Sequence, residues 1–227
     1  MLRTITAFAA LLLMTMAASA AFAIELTESA DKRLSCPDLG NTHQCASRWE
    51  VKLSAAHPGL VKRTDSAVSF LLLDGSQKRF AADDPDSLVP VELLLNERFL
   101  AVWEQWSEGN TWWLLDRKSG ALTEIFGYPL LSPDGSRFVA ASTDLEANFS
   151  RTVLNVYSIG PSGLTRDFEA IGGKEQWLPK WGASSVSWRD DTTIVFRRQL
   201  APNYKLAPGT EAVVLRDGAW RIEKAPA

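Results

Sequence analysis

Residues 129–141, PLLSPDGSRFVAA, combine strand-forming and turn-forming residues within one short stretch. Pro133 presets φ for the second position of a β-turn, Asp134 can cap its own backbone, and Gly135 accepts a positive φ. The apolar residues on either side are typical of two antiparallel strands. The stretch therefore predicts a strand, a tight turn with Gly135 in the left-handed region, and a second strand.

A repeat of this unit is visible along the chain. Aligned strands begin at Phe99, Phe138 and Ile194, and residues 113–116 and 155–158 match as the strand that follows. The distance from Phe99 to Phe138 is 39 residues, close to the length of a propeller blade. The longer distance to Ile194 predicts an insertion around Glu169 to Gly182. Several of these strands are apolar on both faces, which favours blades over a two-layer sandwich.

The pattern Ser-Pro-Asp-Gly-x-x-Phe-Val-Ala at residues 132–140 resembles the repeat of TolB-like and related WD-repeat-like β-propellers. The resemblance implies an all-β fold. Blades of about 40 residues over roughly 160 residues predict a small propeller-like domain of about four blades, or an incomplete one, after a short N-terminal helix. The resemblance also implies a non-enzymatic binding or scaffolding role, by analogy of fold.

The first 23 residues have the three parts of a secretory signal peptide. Arg3 supplies the positive start, residues 7–16 form a short apolar core, and residues 18–20 and 21–23 each offer a small-x-small cleavage site. The apolar run is too short for a membrane span. No cysteine follows the cleavage region directly, so a lipoprotein is not expected. We therefore expect a periplasmic or secreted protein without a membrane span.

Residues 24–59 are expected to form a loop and a helix, and residues 60–227 the propeller-like domain. The helix is predicted from about Thr42 to Ala56, because an apolar stripe recurs there at helical spacing. The stripe consists of Cys45, Trp49, Leu53 and Ala56. Pro58 and Gly59 end the helix.

The two cysteines, Cys36 and Cys45, both lie in the exported part of the chain. An even number of cysteines in an oxidising compartment predicts one disulfide, which would clip the N-terminal loop to the helix. Closing so short a loop stabilises a fold by about 2–3 kcal/mol. A redox or metal role is the alternative, although the spacing is not Cys-x-x-Cys and only His43 is close in sequence.

Charge and motifs exclude several classes of function. Without Arg3 the chain has 23 basic and 27 acidic side chains, with no basic patch for nucleic acid or an anionic membrane. The sequence contains no Gly-x-Ser-x-Gly elbow, His-Glu-x-x-His, phosphate-binding loop or dinucleotide fingerprint. We therefore predict no catalytic residue, no cofactor and no metal site. Asp144, Glu146 and Asn148 could supply oxygen ligands to calcium, but the full calcium-loop pattern is missing.

The candidate binding residues lie in the loop that follows each aligned Phe or Ile strand. These loops contain Trp106 and Glu108, then Asp144, Glu146 and Phe149, then Gln199 and Tyr204. Equivalent loops of a propeller emerge at the same end, so the residues would gather on one aromatic and acidic surface. Rings and carboxylates suit a sugar or a peptide segment. The competing interpretation is that the aromatic side chains only plug the end of the ring.

The sequence predicts an exported, soluble periplasmic binding or scaffolding protein. It is expected to be a monomer that binds an envelope protein or a saccharide. The alternative is a hydrolase or lyase that acts on envelope polysaccharide with paired carboxylates. Two carboxyl groups facing each other in a deep aromatic cleft would favour the enzyme, and a flat, aromatic-rich end surface would favour the binding protein.

Overall fold

The structure, a computed structural model, describes residues 42–81, 85–106, 109–146, 149–172 and 179–225. The predicted signal peptide and Cys36 lie outside the described residues. The signal peptide and the disulfide between Cys36 and Cys45 therefore stay predictions.

Sixteen strands in the described part of the chain form four antiparallel sheets that follow one another in sequence. Sheet 1 consists of β1 (Val61–Thr64), β2 (Ala67–Leu71) and β3 (Gln77–Ala81). Sheet 2 consists of β4 (Leu88–Leu94), β5 (Phe99–Gln105), β6 (Asn110–Asp116) and β7 (Ala121–Glu124). Sheet 3 consists of β8 (Leu130–Leu131), β9 (Arg137–Ser142), β10 (Val153–Gly160) and β11 (Gly163–Ile171). Sheet 4 consists of β12 (Trp181–Asp190), β13 (Thr193–Leu200), β15 (Glu211–Arg216) and β16 (Ala219–Lys224), with β14 (Lys205–Leu206) paired to β13.

Successive sheets pack face to face, as the blades of a propeller do. Phe70 of sheet 1 and Leu100 of sheet 2 belong to one buried cluster. Phe99 is next to Leu100 on β5 but faces the other way, and it packs on Phe138 of sheet 3. A third cluster joins sheet 3 to Ile194 and its neighbours in sheet 4. Because a blade lies between two others, both faces of its central strands are apolar. The prediction of an all-β, propeller-like fold with a short N-terminal helix is confirmed.

The described sheets share hydrophobic clusters in sequence order, sheet 1 with sheet 2, sheet 2 with sheet 3 and sheet 3 with sheet 4, and we call this row of sheets the arc. Of the hydrophobic clusters built by the described residues, none joins sheet 1 to sheet 4. By strand alternation, the outer face of sheet 1 presents Lys62 and Arg79, and the outer face of sheet 4 presents Arg197 and Arg221. Repeat proteins end their stacks with such polar outer faces.

The helix α1 (Thr42–Ala56) covers β4, which is an edge strand of sheet 2. Its predicted position is confirmed, and Trp49 and Leu53 pack into the cores on the two sides of sheet 2. Ala46 is buried and was not in the predicted stripe, whereas Ala56 is exposed because the helix ends there. A covering helix shields the unpaired backbone groups of an edge strand. No helix in the described residues is long and apolar enough to cross a membrane.

Three details of the predicted strand pattern are wrong. The sequence did not reveal β1 or β14, whose side chains are half-buried or exposed and therefore lack an apolar pattern. The predicted insertion from Glu169 to Gly182 is too long. Strand β11 continues to Ile171 and β12 already begins at Trp181.

Candidate functional site

Strand direction defines two ends of the arc. At the lower end, short turns join β4 to β5, β6 to β7, β8 to β9, β10 to β11, β12 to β13, and β15 to β16. At the upper end lie the β5–β6 loop, the β9–β10 loop and the β13–β15 segment, together with the linkers between sheets 2, 3 and 4. Because antiparallel strands alternate in direction, equivalent loops of successive sheets emerge on the same side. Of the predicted binding residues that the structure describes, Gln199 lies at the upper end of β13 and the others belong to the upper loops.

Hydrogen bonds connect the upper loops of sheets 2, 3 and 4 in a row. The Ser150 hydroxyl donates to the Asn110 carbonyl at 2.9 Å and accepts from the Asn110 N–H at 3.3 Å. The Tyr204 hydroxyl accepts from the Leu145 N–H at 3.2 Å. The three loops, which are far apart in sequence, therefore form one continuous surface.

A cavity of about 470 Å³ lies within this surface. Its walls come from sheets 2, 3 and 4, and Asp144, Phe149 and Tyr204 are among the residues that line it. Trp106 and Glu146 are in the same loops but do not line the cavity, and Glu108 lies outside the described residues. The volume is in the range of pockets that bind small molecules, about 300–1,000 Å³.

The linker between sheets 2 and 3 forms one wall of the cavity. Gly127 has a φ of 140°, and a Cβ atom there would lie 2.2 Å from the carbonyl oxygen of Ala141 on β9. Only glycine allows so close an approach. The next residue, Tyr128, donates a hydrogen bond to the Glu92 carboxylate and packs edge-on against Trp112, with ring centroids 5.2 Å apart. This wall is therefore held by packing on both sides.

Asp144 organises the β9–β10 loop. Its carboxylate accepts from the N–H groups of Phe149 at 2.7 Å, Ser150 at 3.0 Å and Glu146 at 3.3 Å. The Thr152 hydroxyl donates to the Asp144 carbonyl at 2.6 Å and accepts from its N–H at 2.8 Å. The carboxylate thus fixes the loop, while the Glu146 side chain is exposed. Within the described residues, no group of three or more His, Cys, Asp or Glu side chains is placed to hold a metal ion.

Two aromatic rings stand exposed at the upper end. Trp106 is 42% exposed and Phe149 is 48% exposed. The Trp106 ring lies against Gly109, and its backbone N–H donates to the Gly109 carbonyl at 3.0 Å. Trp103, three residues earlier on β5, is by contrast buried between sheets 2 and 3. The two exposed rings are therefore outside the core that holds the sheets together.

Sequence reasoning missed the part of the cavity that β12 supplies. Ser184 and Ser185 line the cavity where the pairing of β12 with β13 shifts register, and Ser185 has a φ of 55°. Such bulges re-aim side chains and are common near functional sites. The Ser184-Ser185 pair between the buried Ala183 and Val186 was the available signal. Ser142 and the linker at Gly127 were also missed, because their place depends on how the sheets pack.

Comparison with known proteins shows a limited likeness. No family model matches the chain, and no curated protein matches it. Among solved structures, it is similar to a protein from Lactobacillus plantarum, with 14% identity and a TM-score of 0.35 over 70% of this chain and 50% of that one. It is also similar to a putative TolB from Agrobacterium tumefaciens, with 14% identity and a TM-score of 0.34 over 70% of this chain and 59% of that one.

A third similar structure is TolB from Acinetobacter baumannii, with 14% identity and a TM-score of 0.27 over 81% of this chain and 56% of that one. The chain thus spans only about half to three-fifths of the length of these proteins. The class of the protein, an all-β propeller-like arc, follows from its own four sheets.

Proposed function

We propose that this chain is an exported, periplasmic binding or scaffolding protein that engages its partner through the upper end of the arc. The observation that carries the proposal is the cavity that three successive sheets build at that end, with an exposed aromatic ring in its lining. The predicted signal peptide supports the periplasmic location.

Exposed apolar side chains are concentrated at the upper end. Seven large hydrophobic side chains of the described residues are exposed, and five of them lie on upper loops or upper strand ends. These five are Trp106, Phe149, Ile171, Leu200 and Leu206. At the lower end, Leu73 is the one such side chain in the described part of the chain. Exposed apolar surface rimmed by polar groups marks interaction sites, and aromatic rings supply most of the contact energy there.

The lining of the upper cavity does not favour the alternative of a hydrolase or lyase. That chemistry needs two carboxyl groups on opposite sides of the scissile bond. Asp144 is the one carboxylate among the described residues that line the cavity, and three backbone N–H groups already bind it. The binding role therefore has the better support.

The experiment that tests the proposal is a pulldown. The mature protein is immobilised on a resin, and a partner is captured from envelope extract. We expect Trp106→Ala and Phe149→Ala to lose the captured partner while the free energy of unfolding changes by no more than about 0.5 kcal/mol, as at other surface sites. Leu73→Ala is the matched control, because Leu73 is 50% exposed at the opposite end. Capture that survives both aromatic substitutions, or that fails equally in the control, would contradict the proposal.

A further inference from the structure

The cavity at the upper end is poor in charge. None of its described lining residues is Lys, Arg or His. Its carboxylate, on Asp144, is engaged by backbone N–H groups of its own loop. An anionic ligand would find no cation to pair with, and a cationic ligand would compete with the hydrogen bonds that hold the loop.

The same cavity is rich in neutral hydrogen-bonding groups. Ser142, Ser184, Ser185 and Gln199, which carry hydroxyl and amide groups, are among the residues that line it. Within the described part of the chain, none of these four side chains makes a hydrogen bond with another residue. Hydroxyl and amide groups both donate and accept. They match a ligand whose own groups do both, as saccharide hydroxyls do.

Aromatic surface completes the match to a saccharide. Phe149 lines the cavity with nearly half of its surface exposed, and Trp106 belongs to the adjoining loop. A hydrogen bond between Ser150 and Asn110 connects that loop to the loop of Phe149. Sugar rings have C–H faces that pack on aromatic rings while their hydroxyl edges remain free for polar contacts. A ring with large area beside neutral polar groups serves both parts of such a ligand.

A peptide fits the cavity less well. Extended peptides usually bind by adding a strand to an unpaired sheet edge, which requires a regular row of backbone groups. The edge strands at the cavity are β8, which is only two residues long, and β12, whose register shifts between Ser184 and Ser187, with Ser185 in the left-handed region. The bulge interrupts the row that an added strand would need.

We propose that the upper cavity binds a short, uncharged saccharide segment. This inference rests on the proposed function, since it names the ligand of the same surface. Gln199, Ser184 and Ser142 would bind the hydroxyl groups of the ligand, and Phe149 would pack against a ring face.

The test is a glycan array probed with the mature protein, followed by calorimetric titration with the uncharged glycan that binds best. The array carries uncharged oligosaccharides of glucose, galactose, mannose and N-acetylglucosamine beside uronic-acid oligomers, and a parallel array carries random peptides. We expect uncharged glycans to bind at least tenfold more tightly than their uronic counterparts. Gln199→Ala and Ser184→Ala should each weaken that binding several-fold, whereas Gln77→Ala, on an exposed position of β3, should not.

Each outcome decides the inference. Binding of peptides alone, equal binding of uronic oligomers, or no binding of any uncharged glycan overturns it. If a partner is still captured from envelope extract in those cases, the proposed function stands and only the saccharide assignment fails. If neither experiment detects a partner, both fail.

Discussion

The two ends of the arc differ in how they are built. At the lower end, the turns are tight, and arginine side chains join sheet 1 to sheet 2 and sheet 2 to sheet 3. At the upper end, longer loops enclose a cavity and leave aromatic rings in solvent. The ionic contacts between blades and the candidate binding surface therefore lie at opposite ends, so each can be altered separately.

Arginine side chains connect the sheets at the lower end. Arg98 pairs with the buried Asp116 at 2.9 Å and donates to the Gly160 carbonyl at 2.8 Å, which joins sheet 2 to sheet 3. Arg117, also buried, donates to the Leu71 carbonyl of sheet 1 at 2.9 Å. Each guanidinium group thus connects two neighbouring blades through charge-assisted hydrogen bonds.

A second feature of the lower end is an aspartate that caps its own turn, which occurs in three turns. Asp74, Asp134 and Asp190 each accept hydrogen bonds from the backbone N–H and the hydroxyl of the residue two positions later. Those residues are Ser76, Ser136 and Thr192. The Asp134 N–H also donates to the Asp191 carboxylate at 2.8 Å, which joins sheet 3 to sheet 4. The three turns are therefore fixed locally, and those at Asp134 and Asp190 are also linked to each other.

The largest effect is expected from Arg98→Met. It leaves Asp116, whose side chain is 3% exposed, without its cation. Removing one partner of a buried pair costs about 3–5 kcal/mol, and urea denaturation should show that loss in the free energy of unfolding. The control is Arg216→Met, because the Arg216–Glu223 pair is largely exposed and should contribute less than about 1 kcal/mol. Equal losses in the two variants would contradict the assignment of Arg98 and the buried Asp116 as a stabilising pair.

Gly135→Val should have the next largest effect. Gly135 has a φ of 70°, which confirms its predicted left-handed conformation, and an added Cβ would lie 3.1 Å from Leu95. A β-branched residue there should lower the free energy of unfolding by about 1–3 kcal/mol, measured by the same denaturation. Gly160→Ala serves as control, since Gly160 has no positive φ. An unchanged melting temperature in Gly135→Val would count against the turn.

Acid should weaken the lower end. Burial opposes ionisation of Asp116, Asp134 and Asp190, but hydrogen bonds from neighbouring groups outweigh it and lower the pKa of each below the ordinary 3.8. Hydrogen bonds from Ser76 lower the pKa of Asp74. A depressed pKa in the folded state adds stability above the unfolded pKa, and that stability is lost as the pH falls through the folded value. The urea midpoint should thus be steady from pH 7 to 5 and drop below about pH 4.

The control for the acid effect is the double variant Asp134→Asn and Asp190→Asn. Asparagine does not titrate. The urea midpoint of the double variant should therefore fall less steeply below about pH 4 than that of the unmodified protein. The same acid slope in both proteins would show that these turns do not set the pH dependence.

The smallest effect on stability is expected at the upper end. Trp106→Ala and Phe149→Ala should each change the free energy of unfolding by no more than about 0.5 kcal/mol, as surface substitutions do. Trp103→Ala, which empties a buried site on the same strand, should cost about 3–5 kcal/mol. Chemical denaturation of the three variants separates the two cases. A loss of several kcal/mol at Trp106 or Phe149 would mean that these rings belong to the core.

Much of the fold could be predicted from the sequence, because its signals are local. The turn at Ser132 to Ser136 depends on the conformations that Pro133, Asp134 and Gly135 prefer, and the helix from Thr42 to Ala56 depends on the spacing of its apolar residues. The apolar character of both faces of β5 predicted neighbours on either side. These features need no knowledge of distant residues.

The tertiary structure decided the rest. The sequence placed Asp144, Phe149 and Tyr204 at one end, since they follow equivalent strands, but not the cavity that they share with Ser184 and Gly127. Nor did it determine whether the ring closes, because closure depends on contacts between the outer faces of sheets 1 and 4. Such contacts arise between residues that are remote in sequence, and a local pattern of residue types does not specify which of them meet.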